Sequence, residues 1–370
     1  MATIALDATY AIDRLPSGMT AYSRQLIEAF AGLNSDHHFL LCYRLSRWPK
    51  RPTWVAPAMP RGSRGPRFSV SYYQQGLTFW LPWQADLFHS LAQRPPAFRF
   101  RREVVTIHDV FPLTGLNYST AEFRRKFGRL LIESTRRAAR ILVPSEYTRQ
   151  QLMRHADVDA AKIRVIPYGV AMPTSRRPVE DIAAERQRLG QNSMLVLSVG
   201  VLQTRKNIVN ALRALQLLPA RYRMVFAGGE GFGCEAIYNF IRQHALSDRV
   251  TLLGHVEAHR LGLLYQSADV FLFPSLEEGF GLPVLEAMSY GLPVVVANTS
   301  SLPEVAGEAA LYANPLDARD IADKVQQAAE DHSLRHKLIA ASLERASQFT
   351  WKLTAQATLD LYEEVLTLRV

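Results

Sequence analysis

Apolar positions in this chain follow two rhythms. Short uninterrupted runs predict buried strands, and longer stretches with an i, i+4, i+7 repeat predict helices. Thr3–Asp7 is the first such run, and Met19–Ala31 follows as a helix with Tyr22, Leu26 and Ala29 on one face. Phe39–Tyr43 and Val104–Ile107 predict further strands, the second ending at His108-Asp109. A helical stretch, Thr120–Ala139, leads to strand Ile141–Val143. Ser145 suits the cap of a helix over Glu146–His155, and Lys162–Pro167 closes this half. From Gly169 to Asn192 the repeat weakens among Pro173, Pro178 and charges, which reads as a connection between domains. The pattern restarts with strand Leu195–Val199 and a helix over Asn207–Leu218 carrying Ile208, Leu212 and Leu215 on one face. Met224–Ala227, Val250–Leu253, Val270–Phe273 and Val294–Ala297 predict strands separated by helical segments. Ser301-Leu302-Pro303-Glu304 reads as a capping box, and Leu316–Val370 as almost wholly helical.

Strands alternating with helices build parallel sheets covered on both faces. The fold class expected is therefore α/β, with two Rossmann-like domains facing a central cleft. Residues 1–170 form the first domain and 171–350 the second, with 351–370 as a closing helix. In such sheets ligands bind beyond the carboxyl ends of strands. His108, Gly200 and Glu278 all fall just after predicted strands.

The densest chemistry lies in Glu278-Gly279-Phe280-Gly281-Leu282-Pro283-Val284-Leu285-Glu286. It sits between a predicted strand and a short helix that Pro283 starts, Gly291 caps and Pro293 stops. A helix N-terminus there offers backbone N–H groups to an anion, and flanking carboxylates suit a ligand with hydroxyls. Gly279 and Gly281 let the backbone approach closely. Glu278 read alone is equally a turn acid, and Glu286 a helix residue paired with a base. Arg205 and Lys206, after the strand ending near Gly200, place two cations where the helix dipole disfavours them, which points to a diphosphate, the alternative being a solvated basic pair at a helix start. Gly18 lies between a strand and a helix and is a weaker phosphate candidate. Asp157-Val158-Asp159 has the form of a metal motif but occupies a polar connection, and reads as surface.

Composition narrows the classes. The chain has 370 residues, 48% of them hydrophobic, and two distant cysteines, Cys42 and Cys234, without metal-ligand spacing. A disulfide framework or zinc site is not expected, and a reducing, cytoplasmic setting fits. Asp7 interrupts any signal-peptide core, and no run approaches a membrane span. Charge is uneven: residues 1–170 hold 24 Lys and Arg against 12 Asp and Glu, and the remainder 19 against 22. The basic half calls for an anionic partner. Phe123, Phe127, Leu130 and Leu131 recur beside Arg124, Arg125, Lys126 and Arg129, as in a basic amphipathic helix on an anionic membrane surface, or in a core helix with a solvated face. The uncharged aromatic segment Tyr72–Trp83 lines an acceptor site or simply packs. A basic stripe with regularly interleaved aromatics is missing, so nucleic acid is not an expected partner.

Together these segments resemble the retaining glycosyltransferases of family 4, with the GT-B fold. The likeness runs through VVTIHDVFPL around His108, ILVPSEYT around Ser145, KIRVIPYGV, and LSVGVLQTRKN. It is densest in SADVFLFPSLEEGFGLPVLEAMSYGLPVVVANTSSLPEVAG, and FTWKLTAQATLDLYEEVL is similar to the family's closing helix. The resemblance implies a nucleotide-diphosphate sugar bound mainly by the second domain. It gives Glu286 to the ribose and Glu278 to the donor sugar. Backbone at Gly279, Phe280, Gly281 and Leu282 would meet sugar and phosphates, with Gly200 beside them. Arg205 and Lys206 would neutralise the diphosphate, and backbone near Gly254–Val256 would meet the base. His108 would face the donor sugar from the first domain, and Gly18 would approach the phosphates. No metal or other cofactor is implied. Thr20, Ala21, Val201 and Ala171 depart from residues common in the family, which leaves phosphate neutralisation to Arg205 and Lys206.

The combination of RKN, IHD and SSLPEVAG looks most like bacterial mannosyl- or rhamnosyltransferases of surface polysaccharide assembly. The expected donor is GDP-mannose, or GDP-rhamnose. The expected acceptor is a lipid-linked saccharide at the inner face of the membrane, which the protein would meet peripherally through its basic half. A UDP-sugar donor, or a nucleotide-sugar epimerase on the same fold, is the alternative.

Overall fold

The computed structural model describes residues 1–13, 17–46, 66–74, 80–93, 96, 98–114, 117–173 and 177–368 of the chain. Residues 75–79 of the aromatic segment and 174–176 of the expected connection lie outside them. In chain order the first part contains β1 (Thr3–Asp7), α1 (Gly18–Ala31), β2 (His38–Arg44), β3 (Arg67–Tyr73), β4 (Leu87–Ser90), β5 (Glu103–Thr106), α2 (Ala121–Arg137), β6 (Arg140–Val143), α3 (Glu146–Ala156) and β7 (Ile163–Val165). Next come α4 (Val179–Gly190), β8 (Met194–Val199), α5 (Ile208–Leu217), β9 (Tyr222–Ala227), α6 (Cys234–Gln243), β10 (Val250–Leu252) and α7 (Ala258–Ser267). The chain continues with β11 (Val270–Phe273), α8 (Leu282–Ser289), β12 (Val294–Ala297), α9 (Leu302–Ala306), β13 (Ala310–Ala313), α10 (Ala318–Glu330), α11 (His332–Ser347) and α12 (Trp351–Thr367).

Two compact units result. The first comprises Met1–Gly115, Ala121–Gly169 and Thr350–Val370, and the second Leu116–Thr120 with Val170–Phe349.

The first unit holds a seven-stranded sheet in the order β3-β2-β1-β4-β5-β6-β7. Its pairings are parallel, with Ile4 opposite Phe39 on one side and Leu87 on the other. β1 and β4 are buried apart from Thr3, as a strand covered on both faces requires. The order reverses between β1 and β4, which makes their carboxyl ends a switch point. Ser145 caps α3 by accepting from the Thr148 N–H, as its position predicts. The closing helix α12 packs in this unit. Tyr362 is fully buried near Phe30, and Glu364 bridges Arg140 at 2.6 Å and Arg164 at 3.0 Å. A side chain at Gly169 would strike the backbone of Trp351, so only glycine fits where these two chain segments touch.

The second unit holds a six-stranded parallel sheet in the order β10-β9-β8-β11-β12-β13, with its switch point between β8 and β11. Val196, Leu212, Leu215, Met224, Leu272, Ile321 and Val325 form one continuous core between this sheet, α5 and α10.

Periodicity misread some segments. The expected connection carries α4, whose buried positions are Glu185 and Leu189. Glu185 is held by the Arg260 guanidinium at 2.9 and 2.7 Å, so an ion pair stands where the apolar stripe would be. β3, β4 and β13 escaped notice because His89 and Ser90 interrupt the apolar run of β4, two of the four residues of β13 are alanines, and β3 is a polar edge strand. The capping-box reading of Ser301 is wrong. Ser301 precedes α9 in a helical conformation and makes no cap; its hydroxyl lies 2.9 Å from each of the carbonyls of Glu278 and Phe280.

Candidate functional site

The second unit gathers most of the expected residues at the carboxyl end of its sheet. β8 ends at Val199, and Gly200 turns the chain with φ +145, a backbone state that favours glycine. A Cβ on Gly228, just past β9, would lie 1.9 Å from the Gly200 carbonyl oxygen, so these two turns touch through bare backbone. The Gly228 N–H donates to the Gly254 carbonyl at 2.8 Å. Gly254 to Val256, beyond β10, is thereby tied to the same row of strand ends.

Arg205 and Lys206 sit on a short 3-10 turn, Thr204–Lys206, ahead of α5. The Leu276 N–H donates to the Arg205 carbonyl at 2.9 Å and draws this turn against the segment after β11. Both cations reach Glu278. Arg205 Nη1 lies 3.0 Å from one carboxylate oxygen and Lys206 Nζ 2.6 Å from the other. Arg205 also donates to the Glu277 carbonyl, and Lys206 Nζ stands 4.5 Å above the Phe273 ring. Glu278 is 7% exposed. Burial alone would raise its pKa, but Arg205 and Lys206 outweigh that and hold it at about 2. A carboxyl so held is a fixed anion at neutral pH and no proton donor.

The glycine turn follows directly. Gly279 and Phe280 are buried, and Gly281 has φ +110 where it opens α8. A Cβ there would press on Leu302 at 2.9 Å, so glycine serves both conformation and closeness. Leu282 and Pro283 form the first turn of α8, and Gly291, with φ +68, lies just past its end. The Ser301 hydroxyl pins the turn from behind, a clamp whose only sequence signal was a serine read as a cap.

Glu286, one turn further along α8, has a different setting. It is half-buried, and the Tyr265 hydroxyl donates to its Oε2 at 2.8 Å. Burial raises its pKa, and only the Tyr265 hydrogen bond opposes that.

Gly18 and His108 belong to the first unit. Gly18 is the first residue of α1, exposed, with open space around it; Ser17 caps the helix by accepting from the Thr20 N–H. His108 is not a free base. Its Nε2 lies 2.8 Å from the Leu91 carbonyl and its Nδ1 2.6 Å from the Tyr168 hydroxyl. The carbonyl only accepts, so Nε2 carries the proton and Nδ1 takes the Tyr168 hydrogen. Burial lowers its pKa to about 4, leaving the ring neutral. A second histidine, missed in the sequence, lies behind it. His89 on β4 is fully buried between Tyr362 and Thr106, and Thr106 also meets the Tyr22 hydroxyl at 2.9 Å. Asp159 of the Asp-Val-Asp segment accepts from the Ala161 N–H and caps a 3-10 turn, a structural use.

With this geometry in view, comparison with known proteins defines the class. Residues 180–345 match the family model "Glycosyl transferases group 1", and residues 16–172 match "Glycosyltransferase Family 4". The chain belongs to glycosyltransferase family 4, and it is a glycosyltransferase with the GT-B fold. It is 31% identical to O-antigen chain mannosyltransferase B of Escherichia coli over 326 residues, which covers 87% of this chain and 79% of that one. It is 30% identical over 275 residues to the serotype-specific mannosyltransferase WbdA of Escherichia coli, covering 72% of this chain but 34% of that longer one. Among solved structures, HepE of Anabaena in complex with UDP and glucose superposes with TM-score 0.76 at 18% identity, covering 98% of this chain and all of that one.

Proposed function

We propose that this glycosyltransferase moves mannose from GDP-mannose, with retention of anomeric configuration, to a lipid-linked saccharide in O-antigen synthesis. The observation that carries the transfer chemistry is the Arg205–Lys206–Glu278 cluster beside the Gly281 turn at a sheet switch point. Cleaving a sugar–phosphate bond builds charge on the leaving diphosphate, and fixed cations with helix N–H groups stabilise it where it forms. Arg205 and Lys206 supply that charge, so no metal ion is needed. Glu278 keeps both cations in place and meets the donor sugar, and Glu286 accepts from the ribose. Backbone at Gly254 to Val256 meets the base. The leaving phosphate takes the acceptor proton, which suits a site whose Glu278 is permanently ionised. The choice of mannose is supported by the similarity to the Escherichia coli mannosyltransferases.

The acceptor's lipid places the enzyme peripherally on the inner face of an anionic membrane. Support comes from α2, where Arg125, Lys126, Arg129 and Arg136 are exposed. Phe123 is partly exposed and stacks on Phe127 at 4.0 Å. Among the described residues no helix is long and apolar enough to cross a membrane.

The test offers labelled GDP-mannose, GDP-rhamnose and UDP-sugars to the protein with a lipid-linked saccharide fraction and EDTA. Label from GDP-mannose is expected in the lipid extract, in α linkage. Label entering only from a UDP-sugar overturns the donor, and sugar interconversion without acceptor overturns transfer itself.

A further inference from the structure

Glu278 and Glu286 stand in one turn-and-helix segment, yet their surroundings differ. Glu278 touches two cations. Glu286 touches none: among the described residues its carboxylate has one hydrogen bond, from Tyr265, and that bond occupies Oε2. The ionisable groups around it are Tyr265 from α7, Tyr290 at the end of α8, and Arg177 ahead of α4. Arg177 acts on Tyr290 rather than on the carboxylate. Ser289 donates to the main-chain carbonyl of Glu286, not to its side chain.

Tyr265 itself has little freedom. It is 2% exposed, stacked on Tyr290 with ring centroids 5.4 Å apart, and tilted against Phe271 at 5.9 Å. A phenol wedged in this way presents its O–H at one place. A half-buried carboxylate without such a donor would rotate among its rotamers and take up a proton more readily.

We propose that Tyr265 is a positioning residue for nucleotide recognition: it fixes Glu286 through Oε2 so that Oε1 is left to accept from the vicinal hydroxyls of the donor ribose. The proposal rests on reading Glu286 as the ribose acceptor. A neutral donor suits this place. It favours the ionised carboxylate, yet brings no positive charge to compete with Arg205 and Lys206 for the diphosphate.

The test uses the full chain and its Tyr265→Phe variant, which keeps the stacked ring. Affinity for GDP and for 2′,3′-dideoxy-GDP is measured by calorimetry from pH 6 to 8.5, or for the uridine pair if the wild type binds UDP instead. The wild type is expected to prefer the ribonucleotide by roughly tenfold or more, because a site built for hydroxyls is left unpaired by the analogue. Tyr265→Phe is expected to lose most of that preference, with the loss no smaller at pH 6 than at pH 8.5, while binding of the dideoxy nucleotide stays within about twofold. Unchanged discrimination across the pH range in the variant overturns the proposal. So does an equal loss for both nucleotides, which marks a packing role. A wild type that binds both alike overturns the ribose reading of Glu286 first, and the proposal with it.

Discussion

The two units solve the same problem with opposite chemistry. Both place polar side chains at the carboxyl ends of a parallel sheet. In the first unit the groups on β4 and just past β5 are neutral, while Arg44 meets the buried Asp7 at 3.3 Å at the ends of β2 and β1. His89 and His108 are uncharged, and each ring nitrogen is taken up by a hydroxyl or a carbonyl. In the second unit they are ionic, with Arg205 and Lys206 sharing Glu278. A neutral network loses about 1 kcal/mol when one bond goes, because each bond replaces one to water. A buried ionic cluster loses far more, since a stranded charge keeps its desolvation penalty. The Arg205–Lys206–Glu278 cluster is therefore the costlier of the two networks to break.

The largest expected effect comes from breaking the ionic side of this contrast. Lys206→Ala removes one of two cations from Glu278 and from the proposed diphosphate. Transfer is expected to fall by roughly two to three orders of magnitude, the usual loss when one preorganised charge-stabilising group is deleted. Glu286→Ala is expected to act mainly on the KM for the donor. Circular dichroism of both variants should match the wild type. Turnover near the wild-type rate in both would remove the proposed site.

Acid should separate the units next. His89 and His108 sit at about 3 and 4 in the folded chain, lowered chiefly by burial, against 6.5 unfolded. The unfolded chain then binds more protons, so the first unit loses stability as pH falls from 6.5 towards 4, by several kcal/mol in order of magnitude. Glu278, held at about 2 against 4.5, keeps its contribution until pH drops below 4.5. Glu286 is raised, so it works in the opposite sense and favours the second unit as pH falls. All five tryptophans fall in the sequence of the first unit. Urea midpoints read by tryptophan fluorescence should therefore drop between pH 6.5 and 4. Hydrogen-exchange protection of β8 and β11, corrected for intrinsic rates, should hold. A parallel decline in both would show that the histidines do not set the difference.

The ionic side was the more legible of the two in the sequence. The carboxylates of Glu278 and Glu286, the glycines between them and the Arg205-Lys206 pair occupy short stretches next to long apolar runs, and their local spacing carries the geometry. The neutral network was not legible. Tyr22, His89, Thr106, His108, Tyr168 and Tyr362 are scattered along the chain, and only strand order and the return of α12 bring them together. His108 stands out by its place after a strand and Tyr22 by its helix face, but the other four are unremarked polar residues in an apolar setting. α4 was lost for a related reason, since a pattern search expects a hydrophobic side chain where Glu185 is buried against Arg260. Ser301 illustrates the reverse error: a local rule matched, and a longer-range hydrogen bond took the hydroxyl instead.

The smallest expected effect tests the neutral side directly. Tyr168→Phe keeps the ring that lies 4.6 Å from Tyr22 and removes only the hydroxyl that donates to His108 Nδ1. The Leu91 carbonyl still holds the proton on Nε2, so the tautomer should persist and the ring should stay in place. The loss is expected to be about 1 to 2 kcal/mol of first-unit stability, the cost of leaving one buried acceptor without its donor. Nitrogen NMR of the labelled imidazole at pH 7 should still report a neutral ring protonated at Nε2, with the Nδ1 signal shifted by loss of its hydrogen bond. An imidazolium signal at that pH would mean that the hydroxyl, and not burial, keeps His108 uncharged, and the contrast between the neutral and ionic units would then rest on a single phenol.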